Sequence, residues 1–428
     1  MELTKREEDM LSGKIGKGAQ KSMELLFSVG QVFGADKMIP VASSHLVIPE
    51  IQLFPKGSEA EWGMEITRKL VDGIEKFAVP ATINPMIIDI EKSDALNIPR
   101  RFVDEMKPIF KRAIDFYESK GAIPNYSCAP YFDFFYRKGE HLGGAESIQV
   151  LFNNSVNGAR LNRETGPTAL AVAVTGVTPN YGMHLAKNRV GEVLFELDEK
   201  LDSTNFTDAD FNAIGYYGGF IAAERIPVFS GLHSTMTATD LKYLCVPLAV
   251  SAGIPMIHVL GVTPEAGTIE EAFGGVAPRE TVRITQKEIQ WTYDRLNTAQ
   301  TEDLDYVAIG CPHCSLEEIR YISELLRGRK VHINVIMFVA ASTIKYELAE
   351  RMGIVRTLEN SGVVVVKGMC PGASIFGRYG KELGVSTVAT NSSKNAHYIG
   401  AHSGGHIKTH FGSLVQCIES AVAGKWRS

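Results

Sequence analysis

The clearest hydrophobic pattern lies in the last third of the chain. YVAIG, residues 306–310, reads as a buried strand. Ser315 then offers an N-cap, with Glu318 three residues on as a capping box requires. Ile319, Ile322, Leu325 and Leu326 recur at helical spacing, and Gly328 suits the helix end. VHINVIMFV predicts the next strand, residues 342–352 the next helix, and GVVVV a third strand. Such alternation predicts a parallel α/β layer. Ligands of these sheets bind beyond the carboxyl ends of the strands.

Elsewhere the pattern is more mixed. Charged helical stretches at 60–77 and 101–120 alternate with short apolar runs. An uncharged run at 245–263 is interrupted by Pro247, Gly253 and Pro255. It reads as the end of a buried helix, a turn and a strand rather than a membrane span. Glycine and polar residues crowd positions 139–179, which read as loops around short strands. Three α/β domains follow, at about 1–135, 136–295 and 296–428.

Composition narrows the function classes. The 428 residues are 45% hydrophobic and 22% charged, with a net charge of −5. That is an ordinary globular balance without the basic footprint of a nucleic-acid binder. The N-terminus MELTKREEDMLSG is charged and lacks an apolar signal region, so a cytoplasmic chain is expected. In that compartment its six cysteines are expected to be reduced, metal-bound or catalytic. P-loop, H-E-x-x-H and G-x-S-x-G motifs are absent.

The cysteines divide into two groups. Cys245 and Cys417 sit among helical apolar residues and read as core. Cys128 in PNYSCAPY, Cys311 and Cys314 in GCPHCS, and Cys370 in KGMCPG sit in segments punctuated by proline and glycine. Cys-Pro-His-Cys alone permits a thiol–disulfide site or half of a zinc site. The redox reading, on Cys311 and Cys314, leaves Cys128 and Cys370 unexplained. Three separate thiolates suit an iron–sulfur cluster with one iron free to act as a Lewis acid, as elimination of hydroxide requires. A non-catalytic iron–sulfur sensor shares the same ligands. His397, His402, His406 and His410 are too irregularly spaced for a persuasive metal site, and His313 reads as a helix-start residue.

Taken together, MELTKREEDMLSG, PVASSH, NYSCAPY, AESIQVLFNNSVNGARLNRE, IGCPHCSLEEI, TNSSKNAHY and FGSLVQCIESAVAGKW resemble the large subunit of the aconitase X family nearly end to end. The resemblance implies an aconitase-like, layered multi-domain α/β fold with parallel sheets, lacking the small swivelling domain. It implies a hydro-lyase acting on a small hydroxy acid: cis-3-hydroxy-L-proline, 5-phosphomevalonate or another. It places the cluster ligands at Cys128, Cys311 and Cys370 and leaves Cys314 out. The cluster would be [4Fe-4S] when intact, and [3Fe-4S], [2Fe-2S] or lost after oxidation. A small partner subunit would carry the swivelling domain and a serine base.

The same resemblance puts Glu146, Ser147 and Lys394 at the reaction. Around the substrate it puts His45, Asn84 and Pro85; Asn154, Asn162 and Arg163 are further candidates, an arginine being able to clamp a carboxylate, and Ser392 and Ser393 could add hydroxyl donors to the anion site of Lys394. Read without it, GGAES is a solvated turn, Asn84-Pro85 an ordinary turn signal and Lys394 a surface lysine. His45 is expected to follow a strand. After PVASSH this chain departs from its relatives: a bulkier run with Pro49 and Glu50 replaces a glycine-containing stretch. That leaves the substrate open.

Overall fold

The computed structural model describes residues 1–48, 58–372, 376 and 380–427, with 58–62 by backbone alone. The divergent run containing Pro49 and Glu50 lies outside the described residues.

The first unit carries strands β1 (Met38–Pro40), β2 (Ser44–Leu46), β3 (Ala81–Ile83), β4 (Ala122–Ile123), β5 (Gly143–Gly144) and β6 (Val177–Pro179). Four of them form a parallel sheet in the order β4-β3-β2-β5, while β1 and β6 make an antiparallel ribbon. The chain builds outward from β2 through β3 to β4, then returns to the other side of β2 as β5. A crevice therefore opens between β2 and β5. His45 lies within β2 rather than after it.

Positions 139–179 are more helical than their composition suggests. Helices α1 (Ser147–Phe152) and α2 (Gly166–Thr175) both fall there. GPTALAVAVT lacks an amphipathic stripe because α2 is buried nearly all round. Its local signal is the cap: Thr165 accepts from the Thr168 N–H and Pro167 occupies the first turn.

The second unit repeats the winding with β7 (Val193–Leu197), β8 (Pro227–Ser230), β9 (His258–Val259) and β10 (Glu280–Ile284), in the parallel order β10-β7-β8-β9. Its helices α3 (Asp208–Ala222) and α4 (Ala238–Ser251) pack on each other. Cys245, fully buried on α4, is a core residue as expected.

The third unit contains β11 (Tyr306–Cys314), α5 (Leu316–Leu325), β12 (Ile336–Ala341), α6 (Thr343–Arg351), β13 (Val363–Lys367), β14 (Thr387–Thr390), α7 (Ser393–His402), β15 (Lys408–Phe411) and α8 (Leu414–Ala423). All five strands are parallel, in the order β13-β12-β11-β14-β15. The Ser315–Glu318 capping box forms as read. Two boundaries differ. VHINV is mostly turn, and β12 starts only at Ile336. β11 does not stop at Gly310 but runs on through the cysteine motif with a register shift between Ile309 and Cys314. Gly310 makes that irregularity possible: its φ is +103°, and a side chain there would strike the Ala340 backbone.

One apolar core is shared by the first and third units, joining Leu46, Ile83 and Phe110 to Tyr306, Phe338 and Phe376. The β2/β5 crevice is thereby held against the switch point between β11 and β14. Among the described residues no helix is long and apolar enough to cross a membrane.

Candidate active site

Three turns bring the cysteines together. Cys128 follows β4, and its segment is anchored to the end of β3, where Ser127 N–H donates to the Ile83 carbonyl at 2.8 Å. Cys311 sits on the irregular end of β11. Cys370 follows β13, and its N–H donates to the Met86 carbonyl at 2.7 Å, while Met86 N–H donates to Gly368 at 2.7 Å. The turn after Asn84-Pro85 is thus zipped to the turn before Cys370, with Pro85 buried in it.

Cys128 and Cys311 are 8% exposed, and both feel the charge of Cys370. Burial pushes the Cys128 thiol well up, and Glu146 and Cys311 push it further. Burial pushes Cys311 up to about 12, against Lys394 and a hydrogen bond from Ser392. Cys314 takes no part: it is 2% exposed and packs in the core behind the sheet with Val307, Ile319 and Ile322. Cys417 lies in the same core.

A polar chain runs beside the thiols. The Thr82 hydroxyl lies 2.7 Å from His45 Nδ1, and His45 Nε2 lies 3.2 Å from Asn84 Oδ1. Asn84 Nδ2 donates to Glu146 Oε2 at 2.9 Å, and Lys394 Nζ meets Glu146 Oε1 at 3.1 Å. Ser147 Oγ lies 3.2 Å from Glu146 Oε1 and 3.4 Å from Lys394 Nζ. The geometry follows from the fold. Glu146 and Ser147 start α1 just after β5, and Lys394 starts α7 just after β14. Residues 248 apart in sequence meet across two facing crevices.

The electrostatics follow from burial and pairing. Burial alone would raise the Glu146 carboxyl, but Lys394, Asn84 and His45 outweigh it and hold it down to about 2. Burial would lower the Lys394 ammonium, but Glu146 first, then Cys311, Tyr398 and Cys128, hold it above its usual range. Burial pushes His45 down to about 4, so its imidazole is neutral near pH 7. The result is one ionised carboxylate and one ammonium in a water-poor pocket.

Other expected residues lie differently. Ser392 caps α7 and bonds Cys311. Ser393 turns into α3, where its hydroxyl donates to Asn212 Oδ1 at 2.9 Å. Asn154 is fully engaged: it donates to the Leu161 and Pro255 carbonyls and accepts from Leu161 N–H and Arg189. Asn162 bonds Tyr181 and Met183 backbone. Arg163 is exposed beside Gly253. The C-terminal histidines have separate partners. His397 meets the Tyr216 hydroxyl, His402 stacks on Tyr398, and His410 stacks on Trp426.

Two residues beside the thiols were not expected there. Tyr131, three residues past Cys128 in the same proline-bracketed segment, is buried and feels the Cys128 charge. His313 is not a helix-start residue: it is 1% exposed, within the extended end of β11. Among the described residues three buried polar atoms near the cysteines find no partner: Tyr131 Oη, His313 Nδ1 and Asn395 Oδ1. A Cβ added at Gly372 would stand 2.7 Å from Asn395 Oδ1 and 3.7 Å from Cys311 Sγ. Among the described residues no three His, Cys, Asp or Glu side chains gather closely enough to hold one metal ion.

Fold and site define a layered α/β enzyme whose buried thiols and polar groups converge where two doubly wound sheets face each other. Models of the aconitase X first, second and third domains match residues 1–187, 191–294 and 304–423. The phosphomevalonate dehydratase large subunit of Methanocaldococcus jannaschii is 36% identical over 93% of this chain and 95% of its own length. The cis-3-hydroxy-L-proline dehydratase of Hypocrea jecorina is 31% identical over 99% of this chain, which spans 69% of that protein. The crystal structure of Thermococcus kodakaraensis aconitase X in its holo-form superimposes with a TM-score of 0.83 at 30% identity, covering 98% of this chain and 100% of that one. The chain belongs to the aconitase X family of hydro-lyases.

Proposed function

We propose that this chain is the large subunit of an iron–sulfur hydro-lyase that removes water from, or adds it to, a small hydroxy acid. The observation that carries the reading is the Glu146–Lys394–Ser147 cluster set beside three thiols from separate segments. The donor set fits the cofactor. Thiols near enough to feel one another, yet not gathered around a single ion, suit a group whose irons each take one thiolate. The unpartnered Tyr131, His313 and Asn395 atoms, and the space a side chain at Gly372 would take, fit the same place. Cys128, Cys311 and Cys370 would hold the cluster, whose iron free of protein ligands supplies a Lewis acid for the leaving hydroxyl.

The chain's own residues do the rest. Lys394 offers a buried ammonium to a substrate carboxylate or phosphate, and Ser147 adds a hydroxyl donor to the same anion. Glu146, ionised across the physiological range, accepts a hydrogen bond rather than giving a proton. Asn84, fixed by His45, fixes Glu146 in turn. A small partner subunit would close the site and supply the base. Two observations support it: several relatives are named large subunits, and this chain spans only 69% of the cis-3-hydroxy-L-proline dehydratases. The thiol–disulfide alternative fares worse, because Cys314 is sealed in an apolar core and its thiol is pushed up by burial, opposite to a reactive thiolate.

The test is an anaerobic dehydration screen of the chain co-expressed with its partner, including 5-phosphomevalonate and cis-3-hydroxy-L-proline. The expected result is turnover of a hydroxy acid. A loaded cluster with the partner present and no turnover of any hydroxy acid would overturn the reading.

A further inference from the structure

His313 stands on the Cys311 segment and touches both of the others. Its backbone N–H donates to Cys128 Sγ at 3.4 Å. Its Nε2 lies 2.8 Å from the carbonyl oxygen of Met369, the residue before Cys370. A carbonyl can only accept, so Nε2 carries the proton and the imidazole is the Nε2–H tautomer. Among the described residues the Nδ1 lone pair has no partner, as that tautomer allows. The side chain is 1% exposed, so no water competes for the Met369 carbonyl. Cys370 is otherwise held to the first unit through Met86, and Cys128 through Ser127 and Ile83. Both segments are also tied to the third unit, through Gly368 N–H to the Ala341 carbonyl at 2.8 Å and Thr343 N–H to the Asn125 carbonyl at 3.0 Å, where β12 pairs with β11. His313 adds a direct hydrogen bond from the Cys311 strand to each of the other two segments.

We propose that His313 is a positioning residue that sets the mutual placement of the three cysteine segments, through its Nε2–H bond to Met369 and its backbone N–H to Cys128. This rests on the reading of those cysteines as ligands of an iron–sulfur cluster. Groups that orient ligands from behind are typically worth about 10- to 100-fold in metal affinity. N–H donors to ligand sulfur also shift the electronic character of a cluster.

The test uses geometry that two amides reproduce separately. In H313Q the side-chain amide can stand where Nε2 stood and donate to Met369. In H313N the shorter amide stands near the Nδ1 position and does not reach that carbonyl. H313F keeps the bulk and removes the donor. Each chain is reconstituted anaerobically with iron and sulfide. The readouts are the rate of iron loss to a chelator, the electron paramagnetic resonance spectrum of the reduced or oxidised cluster, and the melting temperature of the metal-free protein. H313F and H313N should lose iron about 10- to 100-fold faster than wild type, with altered spectra. H313Q should recover the wild-type spectrum and most of the retention. If H313F does not fold, the Gln–Asn pair still decides. Equal iron retention and unchanged spectra in H313N and H313F would overturn the proposal while leaving the cluster reading intact. A wild-type chain that takes up no iron would overturn the cluster reading itself.

Discussion

The first and third units and the second unit share one winding scheme but not one fate. In each, a parallel sheet reverses its direction of growth and opens a crevice at the carboxyl ends of its strands. At the first and third crevices the polar side chains form one cluster that crosses the two units: Glu146 reaches Lys394, while Asn84 holds Glu146 and Ser392 bonds Cys311. At the second crevice they pair only within their own unit, as Asp198 does with Arg283 of β10 at 3.1 Å. Asp198 accepts from Lys200 N–H, Asp202 from Thr204 N–H, and Thr285 pairs with Glu288 as a capping box. A switch point offers a place for chemistry, and the side chains facing it decide whether the place is used.

The second unit instead buttresses the third. Lys242 Nζ on α4 meets both Glu318 oxygens, at 2.7 and 2.5 Å, and Tyr243 donates to the same carboxylate. Asp208 and Asn212 on α3 grip Asn391 and Ser393, just before Lys394. The helix that presents Lys394 is therefore held from behind by the second unit.

Four changes test this division, in falling order of effect. Lys394→Met should lower kcat/KM by about 10²- to 10³-fold, the scale of losing a charge-stabilising donor. It also leaves the Glu146 carboxylate buried and unpaired, at a cost of about 3 kcal/mol. Adding Glu146→Gln should recover part of that stability and none of the activity, as denaturation and rate measurements would show. Lys242→Met should also cost about 3 kcal/mol by stranding Glu318. Its kcat/KM per folded molecule should fall far less than that of Lys394→Met, and an equal fall would make the second unit catalytic.

Glu164 supplies a pH test on the first crevice. Burial raises its carboxyl to about 7 from an ordinary 4.5, against donors from Gly144 N–H and Thr178. Between those values the folded chain binds more protons than the unfolded one, so stability should fall as pH rises from 4.5 to 7. Glu164→Gln should flatten that slope in denaturant titrations. Thr285→Ala, at the second crevice, should cost only about 1 kcal/mol of cap stability and leave kcat/KM unchanged.

The third unit was the most legible in sequence, because its strands are short continuous apolar runs separated by capped helices. Ser315, Glu318 and the GVVVV run carry their structure locally. The first crevice was not legible in the same way. His45, Asn84 and Glu146 come from three segments, and only their packing makes one chain of hydrogen bonds. Without the family resemblance, Lys394 reads as surface and GGAES as a solvated turn. Burial reverses both readings, and burial across 248 residues of separation leaves no periodic trace. α2 was missed for the related reason that a helix buried on every side shows no stripe. Asn154 and Ser393 were read toward the substrate, yet their side chains close hydrogen bonds within the scaffold. His313 was passed over because a histidine beside a predicted helix has an ordinary explanation. The extended course of β11 past Gly310 removes it.

The cluster reading rests on Cys128, Cys311 and Cys370 as ligands, with Cys314 left out. Iron and acid-labile sulfide per chain, measured on anaerobically purified wild type and on Cys128→Ser, Cys311→Ser, Cys370→Ser and Cys314→Ser, test it most directly. The expected result is a cluster in the wild type and in Cys314→Ser, and its loss in the other three. A cluster that survives Cys128→Ser, or one lost in a folded Cys314→Ser chain, would contradict it.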